Sequence, residues 1–314
     1  MKKVIICLLC AFFTGASLAD TTLENRYAKF TFSGKNGALT GILNKETNRE
    51  VAMPANTMLW KAVVLDSKGR EHTLIPGTAP QVKVVRKGSD QIMTLVWKAL
   101  PIAGSKVDFT GYITLADNSG IALWKAEIAA SSNKEAVWVK TLSFPVLHNI
   151  RSLGDDFMVY GDNLGRMIRT PGKRLKYPKE VPCPGHWSMQ FAAFYGSGKV
   201  APVIQPSAHK DFFVNGFHRG TMPDETGLFL APADPESYAK KLFYDKGKET
   251  DTFNMELQHQ PPFPFWPRTS AKGDKVFKYT TPYVTHIGTF TGGRGKVVAL
   301  YRDVIKDYPW SKNP

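Results

Sequence analysis

The chain has 314 residues, 41 of them Lys or Arg against 27 Asp or Glu, a formal charge of +14 at pH 7. That length suits one large β domain or two ordinary ones, and 43% hydrophobic with 22% charged residues excludes the low-hydrophobicity composition of a disordered chain. Three cysteines are too few for a disulfide-built scaffold.

Lys2 and Lys3 precede an apolar run from Val4 to Phe13, and Ala16-Ser17-Leu18-Ala19 sets small residues ahead of Asp20. This pattern predicts a secretory signal peptide over residues 1–19 and a periplasmic or secreted protein. The run is too short to cross a bilayer, which takes about 20 apolar residues, so no transmembrane segment is expected. A lipoprotein anchor at Cys10 is the alternative, but Cys7-Leu8-Leu9 makes a poor lipobox. Without the leader the chain keeps Cys183 as its sole thiol and carries 39 basic against 27 acidic residues, a charge of +12. An exported basic protein seldom meets nucleic acid. Acidic glycans and the cell surface are the anionic partners such a charge attracts, and a plain solubility charge accounts for it as well. The densest basic cluster is Lys173-Arg174-Leu175-Lys176-Tyr177-Pro178-Lys179.

Strand candidates then follow one another at short intervals: 27–32, 38–43, 59–65, 82–85, 92–97 and 107–115. Asn44-Lys45-Glu46-Thr47, Asp66-Ser67-Lys68-Gly69 and Lys87-Gly88-Ser89-Asp90 supply turns between them. From Tyr112 to Leu147 the alternation of Ile113 and Leu115, of Leu123, Ala126 and Ile128, and of Val137 and Val139 predicts a meander that ends in Phe144-Pro145. Evenly spaced short strands argue for a sandwich or barrel rather than βαβ units. No low-complexity linker divides the chain, so one domain is expected over 20–295. Val297, Val298, Leu300, Tyr301, Val304 and Ile305 recur at helical spacing, which predicts one amphipathic helix over 296–307, within a C-terminal segment 296–314.

The meander's order, Ile-x-Leu-Trp124, Glu127-Ile128, Asn133, Val-x-Val and Phe144-Pro145-x-Leu147, resembles the galactose-mutarotase-like supersandwich that fronts many glycoside hydrolases and polysaccharide lyases. Further motifs are similar to those of the bacterial DUF6259 family: Gly161-Asp-Asn-Leu-Gly165-Arg166, Trp187-Ser188-Met189-Gln190-Phe191, Gly227-Leu228-Phe229-Leu230 with Asp234-Pro235-Glu236, Phe253-Asn-Met255-Glu256-Leu-Gln-His259, and Tyr279 to Phe290. Members of that family resemble glycoside hydrolases, with a supersandwich followed by a catalytic (β/α)8 barrel. The resemblance therefore implies an all-β, antiparallel, galactose-mutarotase-like supersandwich with a short C-terminal helix. In the family the helix leads into the barrel, through a segment similar to Tyr301-Arg302-Asp303 and Tyr308-Pro309-Trp310. Here the sequence ends at Pro314, so the expectation is a sandwich without the barrel's carboxylates, and a separately encoded catalytic partner stays open.

The residues best suited to contact a glycan are Arg166, His186, Trp187, Phe265 and Trp266, which stand in Gly/Pro-rich stretches. Aromatic faces stack on sugar rings, while Arg and His bond hydroxyls or acid groups. Pro261-Pro262-Phe263-Pro264-Phe265-Trp266-Pro267 is too proline-rich for an interior strand; a structural lid fits it equally, and Trp187, opening an alternating run, also fits a core position. An apparent insertion between Tyr195 and Gly227 brings His209, Phe212, Phe213, Phe217, His218 and Arg219, suited either to sugar contact or to covering a sheet edge.

Catalytic and cofactor signatures are weak. The seven histidines show no H-x-x-x-H or H-E-x-x-H spacing, so neither metal nor cofactor is predicted. No G-x-S-x-G elbow is present. An aldose epimerase needs only a His acid and a Glu base facing each other across the sugar; His186, His259 and His286 with Glu256 are the candidates, and a buried structural role suits each histidine as well. Three functions follow: an exported carbohydrate-recognition or accessory domain; a carbohydrate-active enzyme, epimerase, lyase or glycosidase, on the same sandwich; or a non-catalytic structural protein.

Overall fold

The computed structural model describes residues 19–130, 137–161, 166–176, 178–182, 191–196, 225–261 and 278–312. Among these, β1 (Thr21–Glu24), β2 (Ala28–Phe32), β3 (Leu39–Asn44) and β4 (Arg49–Ala52) form a four-stranded sheet in chain order. The strands β5 (Lys61–Leu65), β6 (Glu71–Leu74), β7 (Gln81–Lys87), β8 (Asp90–Ile102), β9 (Ser105–Leu115), β10 (Ile121–Ala130), β11 (Trp138–Arg151), β12 (Asp156–Tyr160) and β13 (Arg166–Arg169) come next. After the short helix α1 (Pro171–Arg174) run β14 (Lys179–Pro182), β15 (Ala192–Gly196), β16 (Thr226–Ala233), β17 (Lys240–Lys246), β18 (Thr252–His259), β19 (Lys278–Thr280) and β20 (Val284–Thr291). The helices α2 (Arg294–Ile305) and α3 (Pro309–Lys312) close the chain.

These later strands build two large sheets. One has ten strands in the order β13-β12-β15-β16-β20-β10-β9-β8-β7, with β19 added against β10; the other has six, in the order β14-β17-β18-β11-β5-β6. Every pairing is antiparallel. The expected all-β antiparallel supersandwich with a C-terminal helix is thus the architecture of the chain, and α2 lies within two residues of its predicted limits at each end.

A chain of ring contacts holds the three sheets together. Phe30 and Phe32 of β2 lie 6.4 and 6.0 Å from Trp124 of β10, Trp124 lies 5.6 Å from Phe144 of β11, and Phe144 5.5 Å from Phe109 of β9. Phe109 stacks on Trp60 at 4.1 Å, beside β5, and meets Trp97 of β8 edge-on at 5.6 Å. All seven side chains are buried. Each ring contact adds about 0.5–1.5 kcal/mol beyond the area it buries, so this aromatic seam ties sheets that share no strand pairing.

Alternation places those rings. Ala62 and Val64 of β5 face the core, and Lys61, Val63 and Leu65 face away. Along β8 the buried positions run Gln91, Met93, Leu95, Trp97, then Leu100 and Ile102. The register shifts between Trp97 and Leu100, with Ala99 at φ 53°, and this bulge switches the inward-facing positions from odd to even numbers. In β15 and β16 nearly every residue is buried, because α2 covers the ten-stranded sheet from outside through Val297, Tyr301 and Val304 against Val159, Ala193, Tyr195, Phe229 and Phe290.

Several sequence expectations need correction. Strands β1, β4 and β6 carry no sequence signal; each has four residues and buries one hydrophobic side chain, Leu23, Val51 and Leu74, too little for a period to register. The predicted final helix is followed by α3. Arg166, expected in a loop, is the first residue of β13 and stands opposite Tyr160.

Candidate functional site

The six-stranded sheet turns alternate side chains away from the core, and these gather polar groups on one patch. Phe243 and Asp245 of β17, Asn254, Glu256 and Gln258 of β18, Lys61 of β5 and His148 of β11 line a hollow of about 300 Å³, closed by Pro178 and Tyr244. Lys61 and Glu256 sit on the strands that flank β11 on either side. They reach toward each other over it.

His148 points into this hollow because β11 is irregular. Its register against β18 shifts between Ser143 and Val146, which includes the cis bond Phe144–Pro145, and again between Leu147 and Ile150. Leu142, Phe144, Leu147 and Ile150 are buried while His148 stays partly exposed. Asn149, at φ 55°, fixes the second bulge: its N–H donates to Asn254 Oδ1 at 2.9 Å, its Nδ2 to the Ala55 carbonyl at 3.1 Å, and its Oδ1 accepts from the Lys248 N–H at 2.8 Å. Asn tolerates the left-handed region better than most residues.

Glu256 is the centre of the cluster. Its Oε1 accepts from Lys61 Nζ and from His148 Nε2, each at 2.7 Å, and its side chain is only 10% exposed. Burial pushes the Glu256 carboxyl upward, but the His148 hydrogen bond and the Lys61 charge outweigh burial and hold it below the usual carboxylate range. Glu256 is therefore ionised at neutral pH, and an ionised carboxylate only accepts, so His148 Nε2 carries the shared proton. The hollow thus offers a fixed acceptor at Glu256, donors at Lys61, an amide at Gln258, a second carboxylate at Asp245 and an apolar ring at Phe243, while the Asn254 amide is engaged by the Asn149 N–H and the Lys246 carbonyl. That set matches a compact polyhydroxylated ligand, which has both donors and acceptors around an apolar face.

Among the predicted histidines, His259 lies on the opposite face of β18 from Glu256. Its Nε2–H donates to the Phe144 carbonyl at 2.9 Å and its Nδ1 accepts from the Tyr283 hydroxyl at 2.7 Å. His286 belongs to β20 in the ten-stranded sheet. Neither can act with Glu256. The partner is His148, which the sequence did not single out; its one signal was its place after Phe-Pro, where the bulge arises. Arg166 stands at the far edge of the ten-stranded sheet from β7, in a sheet other than the one bearing the hollow. His186, Trp187, Phe265 and Trp266 lie outside the described residues, as do residues 1–18 of the expected signal peptide and the stretch that carries His209 to Arg219. The stretch with His186 and Trp187 follows β14, and that with Phe265 and Trp266 follows β18, both strands of the sheet that carries the hollow.

Behind this sheet a second ionisable cluster is closed to solvent. Lys240 Nζ pairs with Asp234 Oδ2 with both side chains fully buried, donates to the Tyr238 carbonyl at 2.9 Å, and lies 4.9 Å from the centre of the Tyr283 ring. Burial, with a smaller contribution from the Lys240 charge, depresses the His259 imidazole to about 4. The unfolded chain, with an ordinary His near 6.5, then binds more protons than the folded one between pH 6.5 and 4. Stability is complete above about pH 6.5 and falls on acidification across that window, by about 3 kcal/mol for this group. Burial also lowers the His286 imidazole and adds in the same direction. Urea midpoints measured from pH 7 to 4 should show this loss, and His259→Gln should flatten the curve; equal slopes in both proteins would refute the assignment.

A larger hollow of about 800 Å³ lies by the β1–β2 turn, lined by Thr22, Glu24, Asn25, Arg26, Lys45, Arg86, Gln91, Asp117 and Asn118. It is a weaker candidate. Its charged groups are exposed, Lys45 is paired with Glu24 at 3.1 Å, and the Asn25 amide is committed to the Ala116 and Ser119 carbonyls. Among the described residues no group of three His, Cys, Asp or Glu side chains gathers as a metal site, and no helix is long and apolar enough to cross a membrane.

Fold and hollow together define an antiparallel supersandwich with a His-Glu-Lys patch on its six-stranded sheet. No protein-family model matches the chain, and no curated protein matches it by sequence. Solved structures do. The α-N-acetylgalactosaminidase NagBb from Bifidobacterium bifidum, in its GalNAc complex, superposes with a TM-score of 0.56 at 10% identity over 92% of this chain and 39% of that one. The GH36 α-galactosidase AgaB from Geobacillus stearothermophilus gives 0.55 at 10% identity over 92% of this chain and 43% of that one. At such identities the likeness is one of fold, and the chain spans about two-fifths of the length of these enzymes.

Proposed function

We propose that this chain is an exported carbohydrate-recognition domain, the sandwich of a DUF6259-type protein, and that it takes a single sugar unit in the hollow over Glu256. The observation that carries this is the buried, ionised Glu256 shared between Lys61 and His148, in a hollow also lined by Gln258, Phe243 and Tyr244. About 300 Å³ is at the small end of ligand pockets, room for one ring rather than a chain. The fold's occurrence in sugar-processing enzymes, and the N-terminal leader pattern, support the same assignment. Trp187, Phe265 and Trp266, in the stretches that follow β14 and β18 in the chain, are taken to add stacking, with His186 as a further polar contact; Arg166, on the other sheet, is not part of this hollow. The +12 charge adds salt-sensitive attraction for acidic glycans, with Lys173 and Arg174 exposed on α1.

An aldose epimerase is the second reading, favoured by the presence of a His and a Glu in one hollow. Their direct 2.7 Å bond places acid and base side by side rather than across a sugar ring, which favours binding over proton relay. Calorimetric titration with galactose, N-acetylgalactosamine, glucose and glucuronate, alongside polarimetry of anomeric interconversion, separates the two. Recognition predicts saturable 1:1 binding without catalysed mutarotation, and Trp266→Ala should weaken it by about 1 kcal/mol, the scale of one aromatic contact. Absence of binding to every sugar would leave the structural role in its place.

A further inference from the structure

We propose that β7 is a homodimer interface, joining the ten-stranded sheets of two molecules edge to edge about a twofold axis at Val84. Among the described residues β7 is the terminal strand of that sheet, and all seven of its residues, Gln81 to Lys87, are exposed. Val82, Val84 and Val85 are 40%, 43% and 39% exposed. Val82 and Val84 stand opposite Leu95 and Met93, both fully buried, so they extend the sheet's apolar core face one strand past the point where the core ends. The strand has three exposed valines, no proline and no register shift, so its edge can pair, but Lys83, Arg86 and Lys87 guard it against any register that brings cations together.

The charges select the occupant. In an antiparallel pairing of β7 with a second copy centred on Val84, Lys83 stands opposite the partner's Val85, Arg86 opposite the partner's Val82, and Lys87 opposite the partner's Gln81. No cation meets another directly, and all seven residues pair. Moving the centre to Val85 sets Lys83 against the partner's Lys87. Centres at Lys83 or Arg86 oppose each cation to itself, and a centre at Val82 runs the pairing out at Pro80. Like charges directly opposite each other destabilise a sheet, while β-branched pairs stabilise it. Hence one long register is allowed, and it is self-complementary, as a twofold interface requires. It also brings Val82 and Val84 together with the partner's Val84 and Val82 as a continuous apolar patch. Lys83 keeps diagonal cationic neighbours, the partner's Lys83 and the partner's Lys87, at about 7–8 Å; salt screens that residual repulsion, so association should strengthen as salt rises.

Sedimentation of the full chain over a wide concentration range tests this. A mass that doubles with concentration, more readily at high salt, is expected, and Val84→Lys should abolish the doubling while leaving the melting temperature unchanged, since Val84 is exposed. Val84→Cys should form a reducible dimer with itself under mild oxidation; Val82→Cys alone should not, but should cross-link when mixed with Arg86→Cys. A chain that stays monomeric at all concentrations and salts overturns the proposal. So does a dimer that survives Val84→Lys, or one in which Val82→Cys cross-links to itself as readily as Val84→Cys.

Discussion

Replacing Glu256 by Gln should lower sugar affinity at least ten-fold while the fold melts at nearly the same temperature. Gln keeps the size of the side chain and removes the charge that orders the hollow, where Oε1 accepts from both Lys61 and His148. A hydrogen bond to a charged group contributes about 1.5–3 kcal/mol, which is roughly a ten- to hundred-fold change in dissociation constant. Stability should change little because the Gln carbonyl can still accept from His148 Nε2, while the Lys61 side chain, 32% exposed, turns to water when its partner is neutralised. Calorimetry on the folded variant checks this, and an affinity within two-fold of wild type would place the sugar elsewhere.

The largest stability effect is expected at Asp234. Its carboxylate and the Lys240 ammonium are both fully buried, on the core side of β17. Asp234→Asn takes away the carboxylate that pairs with this buried ammonium, which also touches the Tyr238 carbonyl and the Tyr283 ring. Removing one partner of a buried pair costs about 3–5 kcal/mol, whereas replacing both by apolar side chains is often near neutral. Urea unfolding should therefore show a loss of about 3–5 kcal/mol in the single variant and recovery of most of it in Asp234→Leu/Lys240→Met. A single variant within about 1 kcal/mol of wild type would mean that the ammonium does not depend on Asp234.

Much of the fold could be read from the sequence because its long strands alternate. β2, β3, β5, β7, β8 and β9 overlap their predicted spans, and the turns at Asn44, Asp66 and Lys87 fall between them. The strands covered on both faces, β15 and β16, lose the alternation, and the four-residue strands never develop one. The site was half legible. Glu256 was identified as a candidate base, but its histidine was not, since His148 owes its direction to two bulges in β11 that no periodicity announces. His259, three residues from Glu256, looks like a partner in sequence and faces the core in space, as odd separations do along a strand.

We propose that a sugar sits in the hollow between β17, β18, β11 and β5. Crystals soaked with the tightest-binding monosaccharide test it directly. Density for one ring, with hydroxyls within hydrogen-bonding distance of Glu256 and Lys61 or His148, is the predicted result. A sugar bound with full occupancy elsewhere, with the Lys61–Glu256–His148 cluster untouched, would contradict it.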